Sequence, residues 1–251
     1  MWNPKKWNVK SISVLLKNTW IRFVIFNYFN ILNNNAKKTL TFDELQEIHL
    51  KRQHHEELND FGDKYPLVFH THNSYDGHGI NGNYEGYPEF FEQFDKMIYI
   101  YRNPFDTCIS YWHFMENRVG VDYNRSLDNF TQWFLPKWIH HVKTTMVHSD
   151  LILDYDDLRE YPYNFVDAIS LITEEDVELD VMERVIKLSS FENIRKMSIE
   201  VGQPYGLGKE VYKGFFCRDG RSGQYLEIMN ENLIEYIKNE CEEGGIKLWN
   251  L

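Results

Sequence analysis

The sequence predicts an α/β fold built on a mainly parallel sheet, and three observations carry that expectation. Short apolar runs of strand length stand at Ser11–Leu16, Pro66–Phe69, Met97–Tyr101 and Leu151–Leu153. Longer stretches with helical spacing and helix-start signals separate them, the pattern of βαβ units. The chain of 251 residues is long enough for one such domain with a full core.

Each element has a local reason. The run at Ser11–Leu16 leads into a helix from about Asn18. Within it Trp20 to Leu32 is the most apolar stretch of the chain. It is short and interrupted by Arg22, Asn27 and Asn30, which reads as a buried helix and not as a membrane span. Thr41-Phe-Asp-Glu44 is a capping box that predicts a helix through Leu58. After the strand at Pro66–Phe69, the segment NSYDGHGINGNYEGY is rich in Gly, Asn and Tyr and reads as a mobile loop. At the end of Met97–Tyr101, Asn103 is placed to cap and Pro104 suits a first helical turn, so a helix is expected from there to Asn117. Ser126 to His148 is expected to be helical with a break or kink at Pro136. Asp156 to Ile172 reads as a helix, and Asp176 as the cap of a further one towards Leu188.

Composition narrows the function. A net charge of −11 argues against a general nucleic-acid binder, while leaving room for a local cationic pocket. Aromatic residues make up 16%, with 16 Tyr and 17 Phe, which favours stacking surfaces as well as core. Three cysteines, Cys108, Cys217 and Cys241, are too few and too scattered for a disulfide framework or a zinc ribbon, pointing to a reducing, cytoplasmic location. The first ten residues are basic and aromatic and lack the apolar stretch of a signal peptide.

The segment YRNPFDTCISYWHF places Arg102 at the lip of a buried strand just where a helix begins. Unpaired backbone N–H groups, the positive end of the helix dipole and a guanidinium are together the parts of an anion pocket. Ser110 adds a hydroxyl a little over two turns into the helix. The plainer reading is an arginine paired with a surface carboxylate, and on physics alone the two stand level.

That segment resembles the 3′-phosphate-binding segment of the sulfotransferases that use 3′-phosphoadenosine 5′-phosphosulfate, with the Arg-to-Ser spacing kept. Other segments are similar to the same family in the same order. LILDYDDL resembles Leu-x-Tyr-Glu-Asp-Leu, IKLSSFENIRKM resembles Thr-Ser-Phe-x-x-Met-Lys, and LVFHTHNS resembles the Lys-Thr-His segment. FFCRDGRSGQY is similar to Phe-x-Arg-Lys-Gly-x-x-Gly-Asp-Trp, with Asp219 in place of the Lys and Gln224-Tyr225 in place of Asp-Trp. The resemblance implies a single domain over residues 1–251, three-layer α/β/α and P-loop-nucleotide-hydrolase-like. It implies 3′-phosphate contacts from Arg102, Ser110, Arg218, Gly220 and Gly223. Tyr155 and Trp20 would meet the adenine, Ser189, Ser190 and Phe191 would lie against the nucleotide, and His72 would be the catalytic base.

The first βα loop departs from the family pattern Pro-Lys-Ser-Gly-x-Thr-Trp. Here SVLLKNTW keeps Asn18, Thr19 and Trp20, while Leu15-Leu16-Lys17 stands where Lys-Ser-Gly would be and the glycine is absent. Either Lys17 still reaches the sulfate, acting as catalytic cation and cofactor ligand, or the site is impaired. Each residue also has a plainer role: His72 as a hydrogen-bonded core histidine, Lys17 as a solvated helix-start lysine, Trp20 as core.

The resemblance implies 3′-phosphoadenosine 5′-phosphosulfate as co-substrate, with no metal. Partners would be a small-molecule or glycolipid acceptor, with no nucleic acid and no membrane span. Tyrosines of the loop after His72, together with His78, are candidate acceptor contacts, against an ordinary surface excursion. Two rivals are a non-catalytic binding protein of the same fold and a hydrolase with a metal held by His70, His72, His78 and Asp76.

Overall fold

A computed structural model of the chain describes residues 11–14, 18–34, 36–45, 69–72, 74–79, 82–83, 92, 96–117, 124–200 and 218–247. Its strands are β1 (Ser11–Val14), β2 (Phe69–Thr71), β3 (His78–Gly79), β4 (Gly82–Asn83), β5 (Ile98–Tyr101) and β6 (Leu151–Asp154). Four of them form one sheet in the order β2-β1-β5-β6, parallel throughout, while β3 and β4 pair as a separate antiparallel hairpin. All four runs expected to be strands therefore lie in one parallel sheet. The second runs on past Phe69, so that the strand ends immediately before His72. Residues 66–68 lie outside the described residues.

The helices are α1 (Asn18–Asn34), α2 (Pro104–Glu116), α3 (Leu127–Met146), α4 (Tyr155–Glu160), α5 (Phe165–Thr173), α6 (Leu179–Leu188), α7 (Phe191–Glu200), α8 (Tyr225–Ile228) and α9 (Glu231–Glu243). They cover both faces of the sheet. Successive side chains of a strand point to opposite faces. Accordingly Ile98 and Ile100 of β5 join one apolar cluster with α1, α5 and α6, while Tyr99 joins another with α2, α3 and α9. The first holds Phe23, Phe26, Ile169 and Met182; the second holds Phe105, Phe134, Trp138 and Ile237, all essentially inaccessible.

Local signals place most boundaries. Asn103 caps α2 by accepting from the Asp106 N–H at 2.8 Å, with Pro104 in the first turn. The capping box at Thr41 forms: its Oγ accepts from the Glu44 N–H at 3.2 Å, and the Glu44 carboxylate accepts from the Thr41 N–H at 2.7 Å. A helical turn over residues 42–45 follows, and residues 46–58 lie outside the described ones.

Three expectations are corrected. Pro136 does not break α3, which runs from Leu127 to Met146 with the proline inside it. Its ring removes one helix hydrogen bond, and burial of the adjacent Phe134, Leu135 and Trp138 holds the helix together nonetheless. The single helix expected from Asp156 to Ile172 is instead α4, a 3₁₀ turn at Pro162–Asn164, and α5. Here Pro162 does interrupt, because α4 is too short to be carried past it by packing. Asp176 does not cap α6, which starts three residues later with Glu178 at the N-cap and no side-chain cap bond.

Candidate nucleotide and anion site

The site lies beyond the carboxyl ends of β5 and β6, where ligands of open parallel sheets bind. Register builds its first contact. Tyr101 and Asp154 are paired in the sheet, so the residues that follow them, Arg102 and Tyr155, emerge side by side. The Arg102 guanidinium carbon sits 4.8 Å from the Tyr155 ring centroid, over its face. Both residues are about 4% exposed, so this cation–π contact is made largely out of water.

Arg102 is more occupied than a free anion-binding arginine. Its Nη2 donates to the Arg221 carbonyl at 3.0 Å and lies 3.5 Å from Asp106 Oδ2, and its Nε is 3.6 Å from Asp156 Oδ1. That Nε is buried without a hydrogen-bond acceptor in range. Asp106, within the segment YRNPFDTCISYWHF, is a hub. Its carboxylate accepts from the backbone N–H of Gly223 at 2.7 Å and of Tyr225 at 3.2 Å, fastening residues 218–225 to the start of α2. Asp156 completes the fastening by accepting from Ser222 Oγ at 2.5 Å and from the Asn103 amide at 2.6 Å. The available signal was an acidic residue in the first turn of α2, four after an arginine.

Residues 218–225 bring two further arginines. Arg218 donates to the Gln224 side-chain oxygen. Its pKa is pulled below the usual arginine value, first by partial burial and then by the nearby charges of Arg102 and Arg221, with Asp219 opposing. Arg218 also acts on His113 of α2, one turn beyond the half-buried Ser110. Burial first, and the Arg218 charge second, depress the imidazole, while Glu116, 3.4 Å away, works against them. A phosphate here would meet Arg218 and the remaining N–H groups of Arg102, with Ser110 and His113 on the adjacent helix face. Arg221 itself is exposed and paired with Asp219 and Glu227.

The aromatic part of the site is assembled from distant segments. Asn18 begins α1, and Thr19 is buried beside Arg22. Trp20 is fixed by three contacts: its Nε1 donates to the Ser189 carbonyl at 2.8 Å, and its ring meets Tyr155 and Phe165 edge to face. Ser189 is held in turn by the buried Asn27 amide at 3.0 Å. Ser190 Oγ accepts from the Asn193 N–H at 3.3 Å at the start of α7, which sets the direction of Phe191. Gly220, at φ +73°, lets the backbone pass against that ring, since a Cβ there would come within 2.5 Å of it. An open cleft of about 330 Å³ lies between α4 and residues 220–222.

His72 directly follows β2 and is exposed. The loop after it is tied to α3. Asp76 accepts from Ser74 Oγ at 2.5 Å and lies 2.8 Å from His140 Nε2, and Tyr75 stacks on His148 at 3.7 Å. His78 contributes its backbone to β3, and Lys17 lies outside the described residues. Among the described residues, no group of three or more His, Cys, Asp or Glu is arranged to hold a metal, and no helix is long and apolar enough to cross a membrane.

Fold and site together define an α/β protein with a cluster of arginines and aromatic rings beyond the carboxyl ends of its parallel strands. The chain belongs to the sulfotransferase domain family, whose pattern matches residues 18–247. It is 25% identical to the amine sulfotransferase of Oryctolagus cuniculus over 62% of this chain and 58% of that protein. It is also 25% identical to cytosolic sulfotransferase 13 of Arabidopsis thaliana, over 90% of this chain and 72% of that one. The chain thus spans well under two thirds of the rabbit relative. Its fold is similar to that of retinol dehydratase in complex with androsterone and the inactive cofactor PAP, with a TM-score of 0.67 at 15% identity, covering 94% of this chain and 80% of that chain. A mouse sulfotransferase complexed with PAP superposes with a TM-score of 0.65 at 16% identity, over 94% of this chain and 83% of that chain.

Proposed function

We propose that this protein, as one domain, transfers a sulfuryl group from 3′-phosphoadenosine 5′-phosphosulfate to a hydroxyl or amine of a small-molecule or glycolipid acceptor. The observation that carries the reading is the joining, within one family-matched chain, of the Arg102–Arg218 pair to the slot formed by Trp20, Tyr155 and Phe191. Arginines suit the 3′-phosphate, and ring faces suit the adenine. The names of the relatives, which include amine and flavonol sulfotransferases, favour a small acceptor.

The chemistry assigns a task to each group. The acceptor oxygen or nitrogen attacks sulfur in line, its bond to sulfur forms, and the bond from sulfur to the 5′-phosphate oxygen breaks. The transition state of such a transfer is loose, so positioning and charge neutralisation do most of the work. His72 receives the proton of the acceptor, and Lys17 neutralises the departing oxygen. The lack of the loop glycine beside Lys17 favours a second reading, a nucleotide-binding protein of impaired activity.

Titration with 3′-phosphoadenosine 5′-phosphate, read by thermal stabilisation and calorimetry, tests the site. Binding is expected, and Arg218→Ala should weaken it roughly ten- to a hundredfold, the size of one charge-assisted contact. Absence of binding by the wild type overturns both readings. Binding with no transfer from the sulfated donor to any hydroxyl or amine acceptor leaves the impaired-site reading in place of the enzyme.

A further inference from the structure

The slot between Trp20 and Phe191 contains a side chain that the sequence motifs do not involve. The guanidinium carbon of Arg159 lies over the Phe191 ring at 4.8 Å from its centroid and over the Trp20 ring at 5.7 Å. Arg159 stands four residues after Tyr155 on α4, so the two share a helix face directed at Trp20. Asp157 and Glu160 line the adjoining cleft with Arg159. Among the described residues, however, the head of Arg159 forms its contacts with the two rings and with no carboxylate.

We infer that Arg159 is an internal competitor for the base. It lies over the Trp20 and Phe191 ring faces that the adenine would take, and the adenine displaces it towards the cleft on binding. The inference rests on the sulfotransferase reading, which supplies the adenine. A guanidinium and a purine are both flat and both prefer the same ring faces, so one excludes the other. Stacking of a base on an aromatic ring is worth more than a partly exposed cation–π contact. The base therefore wins, and the affinity observed is reduced by what the arginine contributed. Trp20 is held by Ser189, Tyr155 and Phe165, and Phe191 by the start of α7 and the adjacent Gly220. With both rings restrained, the plug is the part free to move.

The sign of the effect distinguishes this from a general electrostatic role. Removing a positive charge beside a bisphosphate ligand would ordinarily weaken binding. Removing a plug strengthens it. Calorimetric titration of the full chain with 3′-phosphoadenosine 5′-phosphate is expected to give tighter binding for Arg159→Ala than for the wild type, by about five- to thirtyfold for the loss of two ring contacts. Arg159→Gln keeps the helix preference of the side chain without its charge or its full reach, and should shift in the same direction even if the alanine variant folds poorly. Equal or weaker binding by both variants overturns the inference. If wild type and variants all fail to bind, the sulfotransferase reading falls and takes this inference with it.

Discussion

Asp106 holds Arg102 from one helical turn away, its Oδ2 3.5 Å from the Arg102 Nη2, and the same oxygen accepts the Gly223 N–H at 2.7 Å. Both side chains are almost fully buried. The carboxylate thus neutralises the arginine at the strand end and fastens the segment that supplies Arg218. A buried pair of this kind costs desolvation to form, and it costs more to break on one side.

Asp106→Ala should therefore destabilise the fold by about 3–5 kcal/mol, because a buried Arg102 loses its counter-charge and two backbone N–H groups lose their acceptor. Urea denaturation measures the loss. Nucleotide binding should fall with it, since residues 218–225 are no longer held at the site. A variant as stable as the wild type would refute the hub role.

Gly220→Ala places a methyl group 2.5 Å from the Phe191 ring on a backbone at φ +73°. The left-handed conformation alone costs an L-residue about 1–2 kcal/mol. The ring must also shift, so adenosine 3′,5′-bisphosphate should bind more weakly. Gly223→Ala is the control: it has a similar φ of +78° but no atom within 4 Å of the added Cβ. Backbone strain should appear in both, and displacement of the Phe191 ring in the first alone.

His113 makes stability depend on pH. Burial and the Arg218 charge lower its pKa in the folded state. The unfolded chain therefore binds the proton more readily, and stability rises with pH through this region. The contribution of His113 is fully present above the ordinary histidine value of about 6.5. It is lost as pH falls below that value, levelling off once the folded imidazole is also protonated. His113→Gln should flatten the stability profile there. An anionic ligand on Arg218 would offset the depressing charge, so nucleotide binding near pH 6 should take up protons, measurable by calorimetry in two buffers of different ionisation enthalpy.

His72 and His140 should separate kinetically. His72→Ala is expected to reduce kcat by about two to four orders of magnitude with nucleotide affinity nearly intact, the usual consequence of losing a general base. His140→Ala removes one of the ties between the loop after His72 and α3, and the pair is 42% and 34% exposed. Its loss should cost little stability, about 1 kcal/mol or less. It should raise the acceptor KM more than it lowers kcat, and His140→Gln, which can still donate to Asp76, should restore much of the difference. Equal kinetic effects of the two alanine variants would remove the distinction between base and loop anchor.

Much of the fold was legible because its signals are local. The cap at Asn103, the box at Thr41 and the buried run at Ile98–Tyr101 depend on residues within a few positions of one another. The strand positions and the family motifs led to Arg102, Tyr155, Phe191 and Arg218 for the same reason. Where packing outweighed local preference no break formed, as at Pro136, which the buried neighbours in α3 carry through the helix.

The sequence by itself determined the four strands of the parallel sheet and most of the helices, and that an arginine stands where β5 becomes α2. Only the tertiary structure decided what that arginine meets. Asp106 reaches Gly223 across 117 positions, Asp156 reaches Ser222 across 66, and Trp20 reaches Ser189 across 169. Arg159 reaches both Trp20 and Phe191. The physical reason is that a charge or a ring face interacts with whatever the returning chain places within a few ångströms. Sheet register and helix packing set that proximity, and spacing along the sequence carries no record of it.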